Sequence, residues 1–311
     1  MAMQVTKSAQ PPAFRTRIPP LKAGKYADGT PFHEPTYLCC KLLLKTEHLT
    51  SAKALQGFAK VVAKAATKTG VECTDEALPP RPVIREVLFL DTKERLFYNN
   101  AFILRRRIQY KDGFPFGEPE IVFKFRHSDL QKVAETDVRP LIAGPYDLKF
   151  KIQALPLKDE LGGYRLLYSH NVQFPLSHAP QGDRLSVKLL TRVWPVLGTV
   201  LKNDADRVEL VNEVMVEEVL QDLGTLEFGS GVKAKFNVAI WRERGVHLPL
   251  IGEFAFQVKF SKREEVPEKA VDRIRNFFVA LQQIGHEYVT LAATKTGVVY
   301  KFRGDPPKSD E

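Results

Sequence analysis

Charged side chains recur at even spacing inside several apolar runs of this chain. Arg105 and Arg107 lie in "AFILRRRIQY" (101–110), Lys124 and Arg126 in "EPEIVFKFRH" (118–127), Glu135 and Asp137 in "VAETDVRPL" (133–141), and Glu253, Gln257 and Lys259 in "GEFAFQVKF" (252–260). Successive side chains of a strand point to opposite faces, so each set shares one face. The other face is largely apolar: Phe123 and Phe125 in one run, Phe254, Phe256, Val258 and Phe260 in another, while Arg106 joins Leu104 and Ile108. Lysines and arginines converging on one space can bind an oligoanion through charge-assisted hydrogen bonds, bidentate for arginine. Carboxylates facing the same space can hold a divalent cation.

Two arrangements fit this pattern. A flat sheet with one solvated face makes the charges ordinary surface residues. A closed barrel turns them into the lining of a lumen, where unpaired charge is costly and calls for an anionic partner. Other chemistry lacks support. His33, His48, His127, His170, His178, His247 and His286 show no metal spacing, and neither a Walker loop nor a nucleophile elbow is present.

The elements that must position these residues belong to an ordinary globular chain of 311 residues, 44% hydrophobic and 27% charged. A net charge of +9 favours anionic partners such as nucleotides, polyphosphate, nucleic acid or a membrane surface. Cys39, Cys40 and Cys73 form no disulfide framework and no zinc spacing, which points to a reducing cytosol. The N-terminus lacks the apolar core of a signal peptide, and no run of about 18 apolar residues occurs, so a cytoplasmic protein without membrane spans is expected.

Residues 1–35, rich in Pro and Gly, read as an irregular arm, and 303–311 as a flexible tail. "TYLCCKLLLK" (36–45) reads as a buried first strand. A helix then starts at a Ser51 cap, with Leu55, Phe58, Val62 and Ala65 on one face and Gly70 at its end. Strands are expected at 83–92, 101–110, 118–127 and 133–141, and residues 142–182 take no firm assignment. Residues 184–201 read as a helix broken at Pro195. Three further strands, at 208–224, 232–245 and 252–260, precede a helix from Pro267. This is α+β with a barrel or deeply curled sheet. "AATKTGV" occurs at 65–71 and again at 292–298, but the flanks differ and argue against duplicated halves.

At this point the chain resembles a family. "FLDTKERLFYNNAFILRRR" is similar to the Y-[FY]-D-T-x-x-x-x-L-x-x-x-x-x-x-L-R-x-R signature of the CYTH, or triphosphate tunnel metalloenzyme, superfamily. "IVFKFR" stands where that family has its lysine-bearing strand, and "AETDVRPL" resembles its R-x-E-x-E element. "VLQDLGTL" and "GEFAFQVKF" resemble two later strands, the motifs keeping the family's order over residues 36–302. The resemblance implies one closed, mainly antiparallel eight-stranded β-tunnel with flanking helices, enlarged by an extra segment at about 142–210. It implies binding of a triphosphate-containing small molecule or an RNA 5′-triphosphate end, with Mg²⁺ or Mn²⁺ assisting hydrolysis. By position, Lys41, Arg105, Arg107, Lys124, Arg126 and Lys259 become phosphate ligands, and Glu135, Asp137, Asp222 and Glu253, with Glu218 as a further candidate, become metal ligands.

The sequence departs from the family on the metal side. Tyr37 and Cys39 stand where the first-strand glutamates belong, and Ala255 and Gln257 replace acidic positions. Neutral side chains bind Mg²⁺ weakly. A metal-assisted triphosphate hydrolase and a noncatalytic phosphate-binding module are therefore both carried forward, with RNA binding through the outer surface ranked below them because the basic residues are scattered.

Overall fold

The computed structural model describes residues 20–75, 81–183, 185–203, 206–262, 265–291 and 294–303. Most of the expected arm and nearly all of the expected tail lie outside the described residues. Ten strands are described: β1 Tyr37–Leu44, β2 Glu72–Asp75, β3 Val83–Asp91, β4 Phe102–Lys111, β5 Phe114–His127, β6 Asp147–Pro156, β7 Tyr164–Pro175, β8 Glu209–Glu227, β9 Lys233–Glu243 and β10 Pro249–Lys259. Nine of them close into a barrel in the order β8-β3-β4-β5-β7-β6-β1-β10-β9 and back to β8, while β2 pairs with β8 from outside.

The eight-stranded expectation is corrected to nine, and the direction of one strand pair explains how nine can close. Each antiparallel contact reverses strand direction, so a closed ring needs an even number of reversals. Here β1 and β6 run parallel and every other barrel pair runs antiparallel. The additional strands come from the unassigned middle of the chain. In β6, Lys149, Lys151 and Gln153 alternate with Phe150, Ile152 and Ala154, the same polar and apolar alternation that marks β5.

Helices clad the barrel. The main ones are α1 (Ala52–Thr69) and α5 (Glu268–Ile284), with the short α2 (Leu96–Asn99), α3 (Leu130–Glu135), α4 (Val187–Val193) and α6 (Lys295–Lys301). Ser51 accepts a hydrogen bond from Ala54 N–H at the start of α1, and Gly70 ends it in the left-handed region at φ +66°, where glycine carries no side-chain penalty. Helix α4 stops before Trp194, and a tight turn begins at Pro195, as the missing N–H of proline requires. Because α1 and α5 pack on the outer faces of β9 and β10, the largest core lies outside the barrel wall. Phe58 meets Phe254, and Phe256 meets Phe277. On the opposite side, Phe123 and Phe174 pack on Trp194.

The expected strand at 133–141 is helix α3 followed by an irregular segment. Asp129 accepts from the N–H groups of Gln131 and Lys132, capping the helix, and Leu130, Val133 and Ala134 bury its inner face. Asp91, in the Asp-Thr pair of the signature, is structural. Its oxygens accept from the N–H groups of Thr92, Phe97 and Tyr98 and from Tyr300 Oη at 2.8–3.0 Å. Burial pushes its carboxyl up to about 6 despite those donors. Among the described residues no helix is long and apolar enough to cross a membrane.

Candidate functional site: a basic cup in the barrel

The inward faces follow from strand alternation and register. Arg85 on β3, Arg105 and Arg107 on β4, Lys124 on β5, Lys149 and Lys151 on β6 and Lys41 on β1 all line one cavity of about 720 Å³, joined by Lys295 at the start of α6. Eight lysines and arginines thus face only three glutamates, Glu118, Glu120 and Glu218, around that space. Arg106 lies on the outer wall beside Leu104, Leu88 and Trp194.

The cavity is a cup because α6 plugs the other end of the barrel. Val299 and Tyr300 pack against the inward-facing Val87, Phe89, Ile103, Val216 and Trp241. Tyr300 stacks on Tyr98 with ring centroids 4.0 Å apart, and Asn212 donates to the carbonyls of Val299 and Tyr300. Thr294 caps the plug by accepting from Gly297 N–H, and Arg126 donates to the Thr294 hydroxyl at 3.0 Å.

Charge in the cup is unevenly compensated. Lys124 is 7% exposed, and among the described residues neither its ammonium nor the Arg105 guanidinium forms an ion pair. Arg105 Nε is buried with no hydrogen-bond partner, and the guanidinium sits over the Phe89 ring at 5.7 Å. Burial, and then the neighbouring cations Arg105, Arg126, Lys41 and Lys151, hold the Lys124 ammonium well below its ordinary value. Burial lowers Lys151 as well, and lowers Arg105 together with Arg107. Nearer the mouth, Arg107 donates to Glu120 at 2.9 Å and to Gln173 at 3.2 Å, and Lys151 donates to Gln257 at 3.1 Å.

The carboxylates are compensated. Lys295 Nζ lies 3.1 Å from Glu218 and 2.8 Å from Glu253, and 4.4 Å from the centre of the Trp241 ring. Trp241 Nε1 donates to Glu218 at 2.7 Å, Arg85 stands 3.5 Å from the other Glu218 oxygen, and Lys41 stands 3.9 Å from Glu253. Burial alone would raise the Glu218 carboxyl, but Lys295, Arg85 and the indole N–H bring it down to about 2. Glu253 is lowered against burial by Lys295 and Lys41, and Lys295 is raised against burial by both glutamates.

Of the expected phosphate ligands, Lys41, Arg105, Arg107 and Lys124 meet in the cavity. Arg126 faces the recess at its inner end, and Lys259 is exposed at the end of β10. Of the expected metal ligands, Glu253 reaches that recess and the further candidate Glu218 stands beside it across the Lys295 ammonium, but Glu135, Asp137 and Asp222 do not join them. Glu135 is exposed on α3 and accepts from Gln131, because a helix has replaced the expected strand. Asp137 follows that helix and is held by Arg139 at 2.6 Å, which also binds Asp28. Asp222 lies four residues beyond Glu218 on β8, partly exposed and outside the lining.

Arg85, Lys149, Lys151 and Lys295 were not singled out from sequence. Lys149 and Lys151 carried a signal, alternation with apolar residues in β6, whereas Arg85, followed directly by Glu86, and Lys295 carried none.

A divalent metal does not fit the residues present. Among the described residues no group of three or more Asp, Glu, His or Cys side chains could hold one, and the two inward glutamates at the cup floor already share an ammonium. Mg²⁺ requires near-octahedral oxygen ligands at about 2.0–2.1 Å, and the ammonium occupies the space between the two carboxylates.

No protein-family model matches the chain, and no curated protein matches it. Solved structures to which it is similar include an adenylyl cyclase candidate from Hippeastrum described as having a dominant triphosphatase activity: 12% identity, 88% of this chain and 99% of that chain, TM-score 0.42. A candidate adenylate cyclase from Bacillus halodurans matches at 8% identity over 87% and 98%, TM-score 0.39. One from Vibrio parahaemolyticus matches at 11% over 86% and 99%, TM-score 0.32. With TM-scores below 0.5, these likenesses carry no weight for the site.

Proposed function

We propose that residues 36–302 act as one cytoplasmic tunnel domain that binds the triphosphate or polyphosphate-type end of an anionic ligand in its basic cup. Arg105, Lys124 and Lys41 would form the inner cation set, with Arg85 beside them and Arg107, Lys149 and Lys151 nearer the mouth. The observation that carries this reading is the buried Lys124 and the partly buried Arg105, neither of them in an ion pair among the described residues, set among like charges in a cavity of about 720 Å³. Such a cluster opposes its own folding unless an anion enters, and an anion entering meets preformed donors in a region shielded from water. A triphosphate end carries about four negative charges near neutral pH, which complements the surplus of cations over carboxylates. The fork of Arg105 can grip two phosphate oxygens at once, while Lys124 supplies a point charge.

Binding without chemistry is favoured over metal-assisted hydrolysis because the two inward glutamates at the floor are occupied by Lys295. Calorimetric titration of inorganic triphosphate, paired with phosphate release in Mg²⁺, Mn²⁺ or EDTA, separates the two. Binding in EDTA that weakens at least about tenfold in Lys124→Ala, with no phosphate released, is expected. Metal-dependent release lost in that variant would establish the hydrolase instead. No binding by the wild type would remove the reading altogether.

A further inference from the structure

Two glutamates at the floor of an anion-binding cup need an explanation, since each repels the proposed ligand. Glu218 projects from β8 and Glu253 from β10, and the ammonium of Lys295 bridges them at 3.1 and 2.8 Å. All three side chains are at most 14% exposed. The face of Trp241 covers the ammonium at 4.4 Å, a favourable seat for a desolvated cation. We propose that Lys295 is a tethered counter-cation standing where a divalent metal would otherwise sit, so that this carboxylate pair fastens the α6 plug and the cup works without metal.

The physical case rests on charge and space. Two inward carboxylates in a desolvated floor require a cation between them. The ammonium meets that requirement with hydrogen bonds at ordinary donor distance, and because it is covalently attached it cannot be diluted away or chelated. A divalent ion would have to expel it, adding positive charge to a floor where Lys41 and Arg85 already stand at 3.9 and 3.5 Å from the outer carboxylate oxygens. Metal-independent ligand binding rests on the proposed function; the counter-cation role does not.

The test uses Mn²⁺ alone, followed by electron paramagnetic resonance and thermal melting of the full chain. Wild type is expected to take up no stoichiometric Mn²⁺. Lys295→Met opens the space between the two carboxylates, leaving only Arg85 and Lys41 near their outer oxygens, and is expected to bind one Mn²⁺ per chain, at least about tenfold more tightly than wild type, with a melting temperature that rises on adding Mn²⁺. A folded Lys295→Met that binds no Mn²⁺ overturns the proposal. So does a wild type that binds one Mn²⁺ lost in Glu218→Gln, and that measurement decides the matter alone if Lys295→Met fails to fold. Triphosphate titration of the wild type in EDTA is read separately: its failure removes the ligand and leaves the Mn²⁺ result standing.

Discussion

Lys124→Met should make the empty protein more stable and the ligand-binding protein worse. The ammonium is 7% exposed, has no ion pair among the described residues, and faces Arg105, Arg126, Lys41 and Lys151. Methionine has similar length and no charge, so it removes both the desolvation cost and the repulsion. Replacing buried charge with apolar groups of similar volume gains about 1–4 kcal/mol in favourable cases, or about 1.5–6 °C in melting temperature for a chain of this size. Losing one charge-assisted contact costs about 1.5–3 kcal/mol of binding, about 10- to 150-fold in affinity. Scanning calorimetry with and without inorganic triphosphate reads both. The pH dependence has a defined sign. Below its lowered native pKa the lysine is charged in both states and the folding cost is full. Between that value and the ordinary 10.5 only the unfolded chain keeps the proton, so wild-type stability rises with pH, and Lys124→Met lacks that increment. A variant that melts below wild type and binds triphosphate undiminished would refute the uncompensated-cation argument.

Glu218→Gln should cost about 3 kcal/mol by leaving Lys295 short of one buried partner. Because the native carboxyl lies at about 2, below its ordinary 4.5, this contribution is present above 4.5 and lost as pH falls toward 2. Urea midpoints of wild type and variant should therefore converge between pH 6 and pH 2.5. Arg106→Ala, on the outer wall, should leave triphosphate affinity unchanged by calorimetry, whereas Arg105→Ala should weaken it at least about tenfold. Asp91→Ala strands three backbone N–H groups and the Tyr300 hydroxyl, and should lower the unfolding free energy by at least about 3 kcal/mol in urea titration.

Strands β5 and β10 were legible because one face of each is consistently apolar, β3 and β4 because they are apolar runs interrupted on that face by a single charge, Glu86 or Arg106, and α1 because Ser51 and Gly70 bracket its apolar stripe. The inward turn of Arg105 and Arg107 was legible only as one of two options, since alternation cannot say which face of a sheet is enclosed. The strand expected at 133–141 rested on the even spacing of Glu135 and Asp137, whereas the structure caps a helix there at Asp129 and buries Leu130, Val133 and Ala134 at helical spacing. Lys295 was invisible for a different reason. "AATKTGV" ends α1 at its first occurrence, where Gly70 N–H reaches the carbonyls of Ala66 and Thr67, while at the second Thr294 opens α6. The same heptapeptide takes opposite roles because its surroundings differ, and only the closed barrel brings Lys295 to Glu218 and Glu253.

The α6 plug makes traffic through the barrel one-way in and the same way out. A linear anion cannot thread such a barrel, be pulled through from the far side, or be chased out by a second molecule arriving behind it. Under the proposed binding, engagement would need a free terminus, so a chain blocked at both ends by bulky groups would be refused however many charges lie between them. Whatever occupied the floor would also depart last, after everything nearer the mouth had cleared.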